Sequence, residues 1–544
     1  MALDLTTEQK DIGKANFQRV VGQYLEPKSG VNRRDFMKGL FAAGSVVPIS
    51  AAAYFGYQSQ HFERPVKAAL IGAGDEGGVL MGEHNPKYLQ IVAVCDIRPY
   101  NQKRIFTGEP TGPRKGLNKV YGKEEAKQIK VYEDYRKMLE ENKEIEAVVI
   151  ALPLHLHAPV AIECLKAGKH VLCEKLMAWN VTQCKDMIRA AEENDRVLSI
   201  GHQRHYSMLY AHGLEVVNSG VLGDVKHIRA LWHRNGTWPR TNEKGDVLKQ
   251  PNGEIQLRDS WFPEIRQEDR AALEKDIKQH GYKSMEELVR WRIFNRTGGG
   301  LMAELGSHQL DACSIFLGKV HPLAVSGVGT RSFYRNQYER GEREVEDHVF
   351  VTFEFPGKNY YADAERKAIK DKDDVVVVTY SSLNTNGFEP YGECLMGSRG
   401  SLVVTEERDI MLYPERGGAS RTTAVTVSAG PGGAPVLDTS GSTGGPATAA
   451  VATGQAAMGT GIPSRGYREE MEHFAYCIRM WEQGMSKQDR PLPRCHGRVA
   501  MADAIIALTS NLAMERRQRI EFKKEWFEAE SKEVPDPEKV PEKI

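Results

Sequence analysis

The chain has 544 residues, enough for two or more domains with complete cores. Lys plus Arg and Asp plus Glu both total 73, so the formal net charge is zero and the basic excess of a nucleic-acid binder is absent. Charged residues at 27% and aromatics at 8% suit a globular protein, and no stretch resembles a polytopic membrane protein.

Near the amino end, NRRDFMK (32–38) precedes a mildly apolar, Ala/Gly-rich run that closes on AAA at 51–53. Charge, a modest apolar core and small residues in that order make a signal peptide. Arg33-Arg34, followed by Phe36 and Lys38, resembles the twin-arginine signal, which carries folded proteins across a membrane. The expectation is a periplasmic protein handled by the twin-arginine export machinery, or a membrane-anchored one if the segment is not cleaved. An accidental arginine pair before a surface helix is the alternative.

From Val66 the texture changes. VKAALIGAG, IVAVCD, EAVVIALP (146–153) and HVLCEK (170–175) read as buried strands with helical segments between them. Strands alternating with helices imply a parallel, doubly wound sheet of Rossmann type over 66–200. Past residue 200, VKHIRALWHR, DHVFVTFEF and DDVVVVTY alternate or are β-rich, with few helices between them. They predict a second α/β domain over 201–515 with a large, mostly antiparallel open sheet, whose exposed face favours a dimer or tetramer over a monomer. Residues 235–290 read as a charged insertion, 416–463 as a low-complexity Gly/Ala/Thr loop, and 516–544 as a charged tail. YREEMEHFAYCIRMW and RVAMADAIIALTSNLAM read as amphipathic helices. The eight cysteines form no CxxC pair, and Cys95 and Cys173 lie in apolar runs, so buried thiols rather than a disulfide framework or zinc knuckle are expected.

GAGDEG at 72–77 follows the first strand and opens a helical stretch, and Asp96 ends the next strand 19 residues past Gly77. In that context G-x-G-x-x-G is a dinucleotide fingerprint. Gly72 permits the tight turn, Gly74 lets the backbone approach a pyrophosphate, and the helix amino end, with Asp75, Glu76 and Gly77, supplies N–H donors. Asp96 is placed to accept hydrogen bonds from the adenosine ribose, which favours NAD. Arg98, two residues on, could hold a 2′-phosphate, so NADP stays open.

Three further stretches complete the pattern: ALPLHLHAPVAIECLKAGKHVLCEKLMAWN (151–180), GHQRHYSMLY (201–210) and GGGLMAELGSHQLD (298–311). With the fingerprint, they resemble the glucose–fructose oxidoreductase/inositol dehydrogenase family, Gfo/Idh/MocA, over about 66–515. The resemblance implies an NAD(P)-dependent oxidoreductase acting on a small carbohydrate or cyclitol. Glu174-Lys175 matches the family's Glu-Lys-Pro, with Leu176 in place of proline, and implies that Lys175 lies between nicotinamide and substrate. Glu304 and His308 match Asp-x-x-x-His with a longer acid. Pro153, His157 and Glu174 fall on the cofactor side, and Gln203 and Arg204 where the family lines its substrate pocket, although His157 could equally be a packing residue and the other two surface residues.

The residue chemistry agrees. Oxidising a secondary alcohol needs a group to take the hydroxyl proton, and His308 is that group, with Glu304 one helical turn back to orient it. Lys175 stabilises the developing alkoxide. In a regular helix Glu304, His308 and Asp311 share one face, Asp311 serving packing rather than substrate. With no further ligand motif nearby, no metal site is expected. Two other functions remain: an NAD-dependent glycoside hydrolase working by transient sugar oxidation and elimination, and a non-catalytic nucleotide-binding regulator. Export adds a constraint, since no free nicotinamide pool is expected outside the cytoplasm. The cofactor should therefore be tightly bound.

Overall fold

In the computed structural model, the described residues are 5–25, 62–239, 242, 244–249, 253, 255–334, 343–364, 366–415, 426–429, 435–438, 464–535 and 538, beginning with helix α1 (Thr7–Leu25). The twin-arginine segment at 32–53 lies outside them, as does most of 416–463, of which two short strands, 426–429 and 435–438, pair antiparallel. Among the described residues no helix is long and apolar enough to cross a membrane.

The Val/Ile/Leu/Ala/Cys runs after Val66 become β1 (Val66–Ile71), β2 (Leu89–Cys95), β3 (Lys130–Tyr132), β4 (Ala147–Ile150), β5 (His170–Glu174) and β6 (Leu198–Gly201). They pair in parallel in the order β3-β2-β1-β4-β5-β6. All four residues of β4 are buried, as a strand covered on both faces requires. The crossover helices are α2 (Asp75–Glu83), α3 (Pro99–Thr107), α4 (Tyr135–Glu141), α5 (His157–Lys166) and α6 (Val181–Glu193). The strand order reverses between β1 and β4, so a crevice opens at their carboxyl ends, where such sheets bind ligands.

After α7 (Met208–Asn218) the second sheet is built from β7 (Val225–His233), β8 (Ala324–Thr330), β9 (His348–Pro356), β10 (Val375–Leu383), β11 (Tyr391–Gly397), β12 (Gly400–Thr405), β13 (Asp409–Pro414) and β14 (Ile520–Glu521). Its order is β13-β12-β11-β7-β10-β9-β8-β14, antiparallel except for the parallel β7–β10 pair. Alternation sets its faces: Val349, Val351, Phe353 and Phe355 of β9 point into the core, while Phe350 points outward opposite Val328 of β8. Helix α1 docks on β13 through Lys14–Asp409 at 2.8 Å and a Tyr413 hydroxyl that donates to the Gln9 carbonyl at 2.9 Å.

Between the strands, the insertion supplies α8 (Gln267–Leu273) and α9 (Met285–Val289). Leu273, Ile277, Tyr282, Met285, Leu288 and Val289 form their own apolar cluster, against which Ile97 and Leu156 of the first domain pack. Helix α10 (Ser307–Phe316) follows the three glycines of 298–300. The two late amphipathic segments are α11 (Tyr467–Glu482) and α12 (Gly497–Arg516). Helix α11 returns to the first domain: Met471, Phe474 and Ile478 share a core with Val66, Ala68 and Leu70 of β1. The charged end is partly structured too, with β14 paired to β8 and Trp526 buried.

Candidate active site

The crevice between the domains is a cavity of about 1130 Å³ that runs from the glycine turn to His308. Gly72 has φ +97°, and a Cβ there would lie 2.3 Å from the Ala151 carbonyl oxygen; a Cβ at Gly77 would lie 2.2 Å from the Gly72 carbonyl oxygen. Gly74 caps α2 with no side chain over its first N–H groups, the arrangement that accepts a pyrophosphate. Asp96 accepts from the Ala73 N–H and the Arg98 N–H, both at 2.8 Å, and from Asn101 Nδ2 at 3.1 Å. Burial raises its carboxyl, and those donors offset part of the rise. These residues fit a dinucleotide: a cradle that side chains would fill, a free helix end and an acceptor at the ribose position. Asp75 instead pairs with Arg104 at 2.8 Å, and Glu76 sits deeper, its Oε1 without a partner. Arg98 lines the crevice, and its Nε donates to Asp269 of α8 at 2.9 Å.

Pro153 starts the turn that enters α5 and lines the crevice with His157 and Glu174. His157 is buried, with its ring nitrogens 2.8 Å from the carbonyls of Leu152 and Leu176. It therefore staples the walls of the crevice together. Glu174 is fully enclosed; burial, then the neighbouring Glu76, pushes its carboxyl well above the usual range. Lys175 follows at the end of β5, before a cis peptide to Leu176, and its Nζ donates to the Glu304 carbonyl at 2.9 Å.

The GGGLMAELGSHQLD segment forms a π-helical turn, Met302–Gly306, that runs into α10. A π-turn carries an extra residue per turn, so the one-face arrangement of a regular helix does not hold here. Glu304 and His308 line the crevice, whereas Asp311 turns away, accepting from His205 Nε2 at 2.7 Å and Lys319 at 2.6 Å. The Glu304 carboxylate pairs with Arg292 Nε at 2.8 Å rather than orienting His308, which corrects the role expected of it. Burial alone would raise the Glu304 carboxyl, but Arg292 and then Lys175 outweigh it and hold it low. His308 Nδ1 has no hydrogen-bond partner, and burial, then the Lys175 ammonium, pushes the imidazole well below its ordinary 6.5.

Gln203 and Arg204 are the larger correction: both are buried and neither lines the crevice. Arg204 donates to Glu407 Oε1 at 2.7 Å, Glu393 Oε1 at 2.8 Å and the His308 carbonyl at 2.7 Å. A guanidinium holds planar acceptors on several sides at once, so Arg204 positions the start of α10 from beneath instead of touching substrate. Gln203 lies on the same Glu407 carboxylate at 3.5 Å. Nearby, His202, Asp311 and Asp503 bring ligand-type atoms within 4.8 Å of one another, and the Lys319 ammonium bonds both carboxylates and answers their charge.

Several lining residues escaped sequence reasoning: Arg292, Trp232, Arg234, Arg465 and Tyr467. The Trp232 ring stacks on Tyr391 at 4.7 Å and lies 5.6 Å from the His308 ring. The period-two alternation of β7 puts Trp232 and Arg234 on one side, a signal that was available; no local signal ties Arg292 or Arg465 to the crevice.

Residues 66–202 match the oxidoreductase-family model for the NAD-binding Rossmann fold, and residues 278–389 match the GFO/IDH/MocA C-terminal domain. Both matched models are those of the Gfo/Idh/MocA oxidoreductase family. An inositol 2-dehydrogenase of Salmonella typhimurium is 28% identical over 177 residues, 32% of this chain and 48% of that protein. A 2,7-anhydro-N-acetylneuraminate hydratase of Escherichia coli is 22% identical over 215 residues, 40% of this chain and 44% of that protein. The chain thus spans about half the length of the curated relatives it matches. An inositol dehydrogenase homolog of Azotobacter vinelandii, crystallised with NADH and myo-inositol, shares the fold at a TM-score of 0.55 and 14% identity, over 85% of this chain and 99% of that one. The aldose-aldose oxidoreductase of Caulobacter crescentus does so at 0.51 and 17%, over 84% and 100%.

Replacing Arg204 by Met strips the cation from two buried carboxylates, so chemical denaturation should show a loss of about 3–5 kcal/mol. A residue that only bound substrate would raise KM and leave the unfolding midpoint in place.

Proposed function

We propose that the protein is an NAD-dependent oxidoreductase that moves hydride between a nicotinamide and a secondary hydroxyl of a sugar, sugar derivative or cyclitol. The observation that carries this reading is that Lys175 and His308, from different domains, meet in the crevice that the glycine turn opens. NAD, when bound, supplies the hydride acceptor at C4 of its nicotinamide. The neutral imidazole of His308 takes the hydroxyl proton, and the Lys175 ammonium holds the alkoxide oxygen. Glu304, tied to Arg292, keeps its carbonyl on Lys175 and so sets where that ammonium stands. Trp232 offers a flat apolar face to a sugar ring.

The reading includes a cofactor retained between turnovers. It draws support from the insertion, whose Trp261, Tyr282, Leu288 and Val289 line the crevice and add apolar surface to it. It also includes periplasmic export, supported by Arg33-Arg34, Phe36 and Lys38 ahead of an apolar run, and self-association, supported by Val328 and Phe350, 55% and 48% exposed on the outer face of the second sheet.

Denaturing protein purified without added nucleotide should release near-stoichiometric NAD(H), and adding polyols to the native protein should change the nicotinamide absorbance. Empty protein that binds no dinucleotide would end the reading. His308→Ala should lower kcat by about 100-fold or more while the dinucleotide stays bound. The His308 imidazole titrates below 6.5, so it is already deprotonated at neutral pH. The acid limb of kcat/KM for alcohol oxidation should therefore fall below pH 6.5 and vanish in His308→Ala. In cells, replacing Arg33 and Arg34 by Lys should move the protein from the periplasmic to the cytoplasmic fraction. Sedimentation of the purified protein should show a dimer or tetramer.

A further inference from the structure

The adenosine end of the crevice is built from both domains. Asp96 ends β2, and Arg98 stands two residues on as the cap of α3. A guanidinium at that position is what a ribose 2′-phosphate would use, since it offers paired donors and a full charge. Here the insertion reaches across from the second domain. Asp269, in the first turn of α8 and fully buried, accepts from Arg98 Nε through one oxygen at 2.9 Å and from the Tyr100 N–H through the other at 3.0 Å. The neighbouring cations of α3 are answered in the same way, Lys103 by Glu268 of α8 and Arg104 by Asp75 at 2.8 Å. Arg266, just ahead of α8, lies over the Tyr100 ring at 4.8 Å.

We infer that Asp269 is a specificity-determining residue: by pairing with Arg98 Nε it anchors the guanidinium and neutralises its charge, which weakens what it offers a 2′-phosphate, so that Asp96 selects NAD over NADP. The inference rests on the hydride-transfer reading for the identity of the ligand and deepens it. It assigns to the insertion a function in dinucleotide choice that lies outside the nucleotide-binding domain. The physical basis is that a buried carboxylate bonded to one guanidinium and one backbone N–H has both oxygens spent locally. It therefore cannot release Arg98 without leaving a charge desolvated and unpaired.

The test is a titration of the full chain with NADH and NADPH, read by energy transfer from tryptophan to the nicotinamide, with any resident dinucleotide first exchanged out. Wild type should favour NADH strongly. Asp269→Asn keeps the shape and an acceptor for Tyr100 but loses the charge that holds Arg98. It should narrow the NADPH-to-NADH ratio of dissociation constants about tenfold, and adding Arg98→Ala should restore the original ratio. An unchanged ratio in a folded Asp269→Asn protein overturns the inference, as does a gain of NADPH affinity that survives the loss of Arg98. Should Asp269→Asn fail to fold, Arg98→Ala alone decides: NADPH affinity should not fall, because the charge of Arg98 is already answered by Asp269, and a fall refutes it. Wild type that binds both dinucleotides equally defeats this inference and leaves the hydride-transfer reading standing. Wild type that binds neither defeats the reading itself.

Discussion

The hydrogen bond from the Lys175 ammonium to the Glu304 carbonyl, 2.9 Å long, joins the end of a parallel strand in one domain to a π-turn in the other. Everything at the reacting end of the crevice is arranged around it. The Lys175 N–H lies on Glu174 at 3.1 Å, His157 bridges the carbonyls on either side, and Arg292 pins the Glu304 side chain so that its backbone faces the lysine. An ammonium has three donors and no acceptor, so one bond to a carbonyl leaves two N–H groups available within the crevice.

Burial then sorts the charges. Glu76 and Glu174, enclosed together behind Lys175, are pushed toward their neutral forms, and His308 is pushed toward neutral imidazole by the same loss of solvent. Glu304 escapes because Arg292 stands beside it. The result is a site with a neutral base and nearby cations, which is the pairing that removal of a hydroxyl proton needs. Beneath it, Arg204 gathers Glu393, Glu407 and the His308 carbonyl into one buried network. Burial pushes Glu393 up to about 7 in spite of Arg204, so that network is poised between charge states.

The second domain does more than carry substrate-facing groups. Its insertion contributes an apolar cluster that Ile97 and Leu156 join, and it fixes α3 through Asp269. Helix α11, far along the chain, closes the core of β1. The two domains are therefore stitched at the adenosine end, at the reacting end and along the back of the sheet. The low-dielectric walls that the two domains supply strengthen the electrostatic contacts within the crevice.

Local chemistry was enough to read the parallel sheet, the glycine turn and Asp96 at the next strand end, whereas Lys175 and His308 stood out through the family motifs they match. Continuous apolar strands, positive-φ glycines and residues next to them in the chain are short-range signals. The antiparallel character of the second sheet was equally legible from the alternation of DHVFVTFEF. What the tertiary structure alone decided is which partner each long polar side chain finds. Arg98 meets Asp269 across 171 residues, Arg204 meets Glu407 across 203, and Lys175 meets the Glu304 carbonyl across 129. Glu304 was read as the support of His308 because regular helical spacing puts them together, and a π-turn with an arginine 12 residues upstream broke that inference. Arg204 was read as facing substrate because its stretch falls where the family it resembles lines the pocket, whereas the fold buries it underneath. A guanidinium or a carboxylate can be satisfied from any direction, so its role follows from what the fold brings within 3 Å, and the sequence carries no local mark of that.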